Sequence, residues 1–257
     1  MRKILCFIAL LLLWACSVKE DRSGCPCELV VRCEEPLKTE GSVLVSVIQN
    51  NMVVKQGMMS REDFDAGRCS LSVPRRPSTV TVFSGITEMN TIDGRWLDIT
   101  YDHQCDAVYS CSEFAPLSGE SYECVVSPHK NFARLFLTVI GMPDGADATV
   151  TGPVQGYDLL DQKPIQGFFS CSPFIDSIGE EYCMRLPRQV DDALTLNIIQ
   201  AGKPSIKIDI GRIIAQSGYR YDDPDLLDIS MLIDLYKSSA MVIVANWEVG
   251  SFSLLEY

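Results

Sequence analysis

Histidine is almost missing from this chain: two occur in 257 residues, His103 and His129. A histidine-based triad or metal centre therefore has little to draw on, and His103-x-Cys105 lacks the second ligand pair that a zinc site requires. It reads as a loop histidine beside a disulfide cysteine. The nucleotide and hydrolase signatures G-x-x-x-x-G-K-[ST], G-x-G-x-x-G and G-x-S-x-G are absent. Ser127-Pro128-His129-Lys130 has the S-x-x-K spacing of some acyl enzymes, but Pro128 interrupts it and the companion motifs are missing. Asp222, Asp223 and Asp225 could offer oxygen ligands to calcium, yet the glycine turn and distal glutamate of an EF-hand are missing and Pro224 stiffens the run, so a solvated loop is expected. Trp96, Trp247 and the tyrosines fall at strand positions, which places them in a core. The expectation is a non-enzyme with no cofactor, metal or catalytic residues.

Positive charge is also scarce, with 22 Lys and Arg against 34 Asp and Glu and a formal net charge of −12. Such a chain repels phosphate backbones and carries no basic stripe, so nucleic acid is not an expected partner. Long apolar runs are missing except at the start, where Arg2 and Lys3 precede Ile4 to Ala15. That run is the h-region of a secretory signal, too short to span a ~30 Å hydrocarbon core as a helix. Leu13, Trp14, Ala15 and Cys16 look like a lipobox, with Trp14 an unusual occupant. The reading is cleavage after a signal peptide of residues 1–15 and lipidation of Cys16. Several acyl chains at ~0.8 kcal/mol per buried CH₂ make such an attachment durable. Ser17 and the charged run Lys19, Glu20, Asp21, Arg22 resemble the start of lipoproteins sent to the outer membrane and displayed outside. Residues 16–26 are then a lipidated tether, and loss of Arg2 and Lys3 takes the charge to about −14.

Cysteine, by contrast, is plentiful. Beyond Cys6 and Cys16 there remain Cys25, Cys27, Cys33, Cys69, Cys105, Cys111, Cys124, Cys171 and Cys183. In an oxidising compartment these are disulfide candidates, with at least one thiol left over because nine is odd. Cys25-Pro26-Cys27 is too tight for its two cysteines to bridge each other comfortably. The connectivity stays open.

The rest is a series of short apolar or alternating runs broken by turn residues, which favours strands over helices. Runs at 27–33, 43–49, 52–56, 69–73 and 79–84 come first, with a hairpin at Asn50-Asn51. Candidates at 96–100, 106–112 and 121–126 follow. A second series covers 132–140, 147–154, 182–186, 192–200, 205–210, 226–235 and 241–249, with a short helical segment from Gly211 to Gln216. Two such sets predict an all-β chain of two β-sandwich domains in series, 27–128 and 129–257.

Several stretches together resemble the FimB-like, minor-fimbrium anchoring subunits of type V fimbriae. They are CSVKEDRSGCPCELVV from Cys16, VLVSVIQNNMVVKQ from Val43 and STVTVFSGI from Ser78, where Phe83 stands at a position often held by tryptophan. HKNFARLFLTVIGM from His129, IIAQSGYRYDDPDLLDISMLIDLY from Ile213 and MVIVANWEV from Met241 extend the likeness through the second half. The resemblance implies transthyretin-like sandwiches and an outer-membrane lipoprotein that anchors a fimbrial shaft and has a part in limiting its length. The shaft subunits would be the protein partners, gripped by strand addition, and no catalytic residues come with the family. The rival reading from the residues is a surface lipoprotein that binds a glycan or other ligand, which would need an exposed aromatic platform.

Overall fold

The computed structural model describes residues 21–253 except 40, 88–89, 94, 176–180 and 245–246. Cys16 and the signal peptide lie outside the described residues, as does Asn246. No helix among those described is long and apolar enough to cross a membrane.

Alternation builds the first half. Strand β1 (Pro26–Cys33) buries Cys27, Leu29 and Val31 and turns the residues between them outward. It pairs antiparallel with β4 (Cys69–Pro74) and parallel with β9 (Ser121–Val126). The facing sheet runs in the order β10 (His129–Lys130), β8 (Tyr109–Ala115), β5 (Ser78–Ile86), β2 (Ser42–Gln49), β3 (Met52–Ser60). The hairpin between β2 and β3 turns at Asn50 and Asn51 with φ of 50° and 62°, the doubly positive combination of a type I′ turn. Helix α1 (Arg61–Asp65) follows β3; the Ser60 hydroxyl accepts from the Asp63 amide at 3.1 Å and caps it. It buries Phe64 in the core between the two sheets.

The second half repeats the plan with a larger core. Strand β11 (Phe132–Ile140) pairs antiparallel with β15 (Tyr182–Pro187) and parallel with β18 (Ile229–Asp234), and β19 (Ser239–Val244) and β20 (Trp247–Ser253) extend that sheet. The opposing sheet is organised by β12 (Asp147–Asp158), whose length is broken by register shifts around Gly152, Val154 and Gly156. Its first part pairs with β16 (Thr195–Ile199) and its last with β7 (Trp96–Ile99), while β13 (Lys163–Cys171) runs along its other side. Gly156 permits the approach of β7, because a Cβ there would stand 2.2 Å from the Leu97 carbonyl oxygen. Helix α2 (Ile210–Gln216) buries its Ile residues in this core and stops at Gly218, which takes φ of 81° just past the helix.

The hairpin of β6 (Asn90–Asp93) and β7 crosses the line drawn at residue 128: it leaves the first half in sequence and joins the second half's sheet. A third, small core fills the space this creates. Leu44 and Phe83, on the back of the β2–β5 sheet, meet Leu97, Val108, Tyr157 and Leu159 there. The chain is thus all-β, a fold of paired sheets with an apolar plug where the two halves meet.

Candidate docking surfaces

The most specific run of the sequence, Gly218 to Asp225, is a loop organised by one cation. Arg188 is buried and donates from Nε to the Asn131 side-chain oxygen at 2.9 Å. Its other nitrogens reach the carbonyls of Tyr221, Asp223 (2.7 Å) and Pro224 (2.8 Å). The side chains are engaged as well: Asp222 accepts from Arg220, and Asp225 accepts from the Lys130 amide at 2.7 Å and lies 3.3 Å from the His129 ring. The run is therefore an exposed loop, as expected, strapped down by hydrogen bonds to its backbone and side chains. Asn131 extends the network, donating to the Ser110 hydroxyl at 2.6 Å and accepting from the Tyr157 hydroxyl at 3.0 Å, so the two halves are joined by polar as well as apolar contacts.

Beside this joint lies a cleft of about 530 Å³ with Lys38, Lys130, Arg134 and Arg185 on its walls and Tyr109 and Phe132 between them. A second hollow of about 530 Å³ adjoins it and adds Asp225 and Asp228. Asp228 accepts from Lys130 Nζ at 2.5 Å, from the Arg134 amide at 2.9 Å and from Arg134 Nε at 2.8 Å. Burial alone would raise its pKa, but these hydrogen bonds outweigh it and hold the carboxyl below the ordinary 3.8. Its ionised form therefore stabilises the fold above that value, and the contribution is lost as pH falls through the lower folded value. Urea unfolding between pH 7 and pH 3 is expected to show a smaller acid-induced loss of stability in Asp228→Asn than in wild type.

Two other surfaces are open. Strand β3 is the outer strand of its sheet and exposes Met52, Val54 and Met58 along with Lys55 and Gln56, an open edge of the kind that can template pairing with another chain. On the second half, Tyr101 and Phe168 are 72% and 59% exposed and stack with ring centroids 6.3 Å apart and an interplanar angle of 23°. Trp96 is 47% exposed under the Arg95 guanidinium, because Leu97 takes the inward position on β7. The expectation that the tryptophans and tyrosines are core thus fails for Trp96, Tyr101 and Tyr236.

The remaining sequence candidates scatter. His103 is exposed, its ring 2.9 Å from the Tyr101 carbonyl, while Cys105 is buried. Lys130 engages Asp228 and makes no pair with Ser127. All nine described cysteines stand as thiols: Cys25, Cys27, Cys33, Cys69, Cys105, Cys111, Cys124, Cys171 and Cys183. Cys27, Cys69, Cys111 and Cys124 share the first half's core, with Cys33 packed against it. Burial pushes the Cys33 thiol up to about 12 and Cys69, Cys124 and Cys171 up to about 11. Arg188, Tyr109 and Arg185, which shape the joint and the cleft, carried no sequence signal beyond being charged or aromatic residues in or just after a strand.

No family model and no curated protein matches the sequence. Solved structures do match in fold. A DUF1812 protein of Bacteroides thetaiotaomicron, described as a candidate polysaccharide-binding protein, superposes with a TM-score of 0.66 over 90% of this chain and 99% of its own, at 10% identity. The fimbrial anchor protein Mfa2 from Porphyromonas gingivalis gives 0.61 over 89% of this chain and 100% of its own, also at 10% identity. A candidate adhesin of Bacteroides thetaiotaomicron gives 0.57 over 89% and 97%, at 10%. The class is therefore the fold shared by these bacterial fimbrial and adhesion proteins. Within that class, the sequence motifs resemble the minor-fimbrium anchoring subunits.

Proposed function

We propose that this chain is an outer-membrane lipoprotein of two β-sandwich domains, held by lipid on Cys16, that anchors a fimbrial shaft to the cell surface. What carries the reading is the match in fold to a fimbrial anchor protein along that protein's whole length. The lipobox, the polar tether and the edge of β3 support it. An extended segment of a shaft subunit added to that edge would be held by many main-chain bonds, with Met52, Val54 and Met58 setting its register. A strain lacking the protein is expected to make fimbrial subunits but to shed them, or to build fibres poorly held to the cell. Cys16→Ala should give the same phenotype, with the protein no longer retained in membranes. Electron microscopy of cells and culture supernatant, with fractionation of the Cys16→Ala strain, decides it. Fimbriae attached in normal number and length on the deletion strain would overturn the reading, provided no related anchor is expressed in its place.

One observation favours a second reading, glycan binding. The stacked pair of Tyr101 and Phe168 is the exposed aromatic platform that a sugar-binding face needs. Binding of cell-surface glycans that is lost in Tyr101→Ala, with fimbriae still attached, would support it.

A further inference from the structure

We infer that the basic cleft at the junction of the two halves is the docking site for an extended, acidic segment of the fimbrial partner. This rests on the anchoring reading and adds a second contact with the partner, apart from the β3 edge, together with its chemistry.

The chain as a whole is strongly acidic, yet four cations converge on this one cleft. Lys130 and Arg134 share a single carboxylate, Asp228, and neither Lys38 nor Arg185 pairs with a carboxylate of any described residue. Arg185 spends its Nε on the Cys105 carbonyl at 2.8 Å, which fixes the guanidinium in place without neutralising it. A positive wall of this kind attracts an acidic segment and steers its approach, where the rest of the surface repels it.

The shape favours a peptide over a saccharide. Strand β10 covers only Tyr109 and Ser110 of β8, so among the described residues Cys111–Ala115 have no strand on that side. A hollow of about 360 Å³ runs beside that edge, lined by Ser112, Glu113 and His129 among others. A further hollow of about 240 Å³ shares His129 with it and shares Lys38 and Tyr109 with the cleft; Glu34, Glu35 and Asp225 line it too, so the acidic side chains of the segment are received in the cleft and not along the way to it. Together they make a track from an unpaired backbone edge into the cations. An extended chain, rising about 3.3 Å per residue, can pair its main chain with the edge over one stretch and carry the acidic side chains of the next stretch, past β10, into the cleft. A saccharide has no main chain for the edge to pair with.

The test uses the soluble chain from residue 17 and four probes followed by fluorescence anisotropy or calorimetry. These are a ten-residue peptide alternating Val and Glu, its Val and Gln counterpart, a pentamer of galacturonate, and inorganic phosphate. The Val-Glu peptide is expected to bind at least tenfold more tightly than the Val-Gln peptide and to weaken as salt rises. Lys38→Glu, at an exposed position, should weaken it at least tenfold, and Lys38→Gln by less. Thermal unfolding of both variants confirms that they fold. Equal binding of the two peptides, indifference to Lys38→Glu, or cleft binding of galacturonate or phosphate in preference to the peptide would each overturn the inference. Fimbriae shed by the deletion strain but held normally by a Lys38→Glu strain would remove the cleft and leave the anchoring reading intact. Peptide binding with fimbriae retained on the deletion strain would do the reverse.

Discussion

Arg188→Met is expected to cost at least about 3 kcal/mol of stability and to lower the midpoint of thermal unfolding by about 6–12 °C. The arginine is buried and satisfies four acceptors at once: the Asn131 side chain and the carbonyls of Tyr221, Asp223 and Pro224. Methionine fills much of the same volume, so the loss reports on hydrogen bonding rather than on a cavity. Each acceptor left buried without a donor costs about 1–3 kcal/mol, and the strap at residues 221–225 relieves part of that by moving toward water. The strap also carries Asp225, which accepts from the Lys130 amide. A weakened grip on an acidic peptide should therefore accompany the lower midpoint. Calorimetry with circular dichroism checks the first effect. A midpoint unchanged within error would mean that the strap is held by its neighbours and not by Arg188.

Phe83→Ala should be of similar size, about 3–5 kcal/mol, because the ring is fully buried and its removal leaves a cavity. Its place in the fold makes the second consequence more telling. Phe83 belongs to the small core at the junction and meets Tyr157 edge to face, with centroids 6.2 Å apart and an interplanar angle of 62°. Tyr157 is on β12, in the second half, so this contact ties the unfolding of one half to the other. The alanine variant is expected to unfold in two separated steps where the wild type shows closer coupling. A control at Leu135, buried in the second half's own core, should destabilise that half and leave the first half's transition in place. A single, merely shifted transition in Phe83→Ala would show that the joint is carried by the Asn131 network alone.

The strands that sequence reading located best are those with one clear rule behind them. Residues 132–140 and 121–126 are read at their observed ends, and the Asn50-Asn51 turn is the type its residues predict. The strand at 163–171 escaped because Pro164 and Gly167 read as breakers. It pairs on one side only, where a proline's missing N–H breaks no ladder. Helix α1 was legible in principle, since Ser60 followed three residues later by Asp63 is a capping signature, but five residues leave no room for periodicity to show. The crossing of the β6–β7 hairpin could not be read at all. It depends on Gly156 lying opposite Leu97, and local pattern carries no information about which distant strand a glycine will admit. The same holds for the cleft: Lys38, Lys130, Arg134 and Arg185 are unremarkable in sequence and become a site only when β10, β11, β15 and the segment between β1 and β2 bring them together. The N-terminal expectations, an export signal and lipidation of Cys16, rest on linear pattern alone and lie outside the described residues.

The position of β1 has a mechanical consequence. The chain enters the fold through this strand, directly after the tether, and β1 lies in the middle of its sheet with β4 on one side and β9 on the other. A pull on the tether acts along the strand, whereas the bonds that hold it run across to both neighbours. Such a load must shear two ladders together instead of peeling one bond at a time. Forced release is then governed by the height of a single unfolding barrier, and a molecule tugged from the N-terminal end of β1 would give way abruptly and rarely rather than creep.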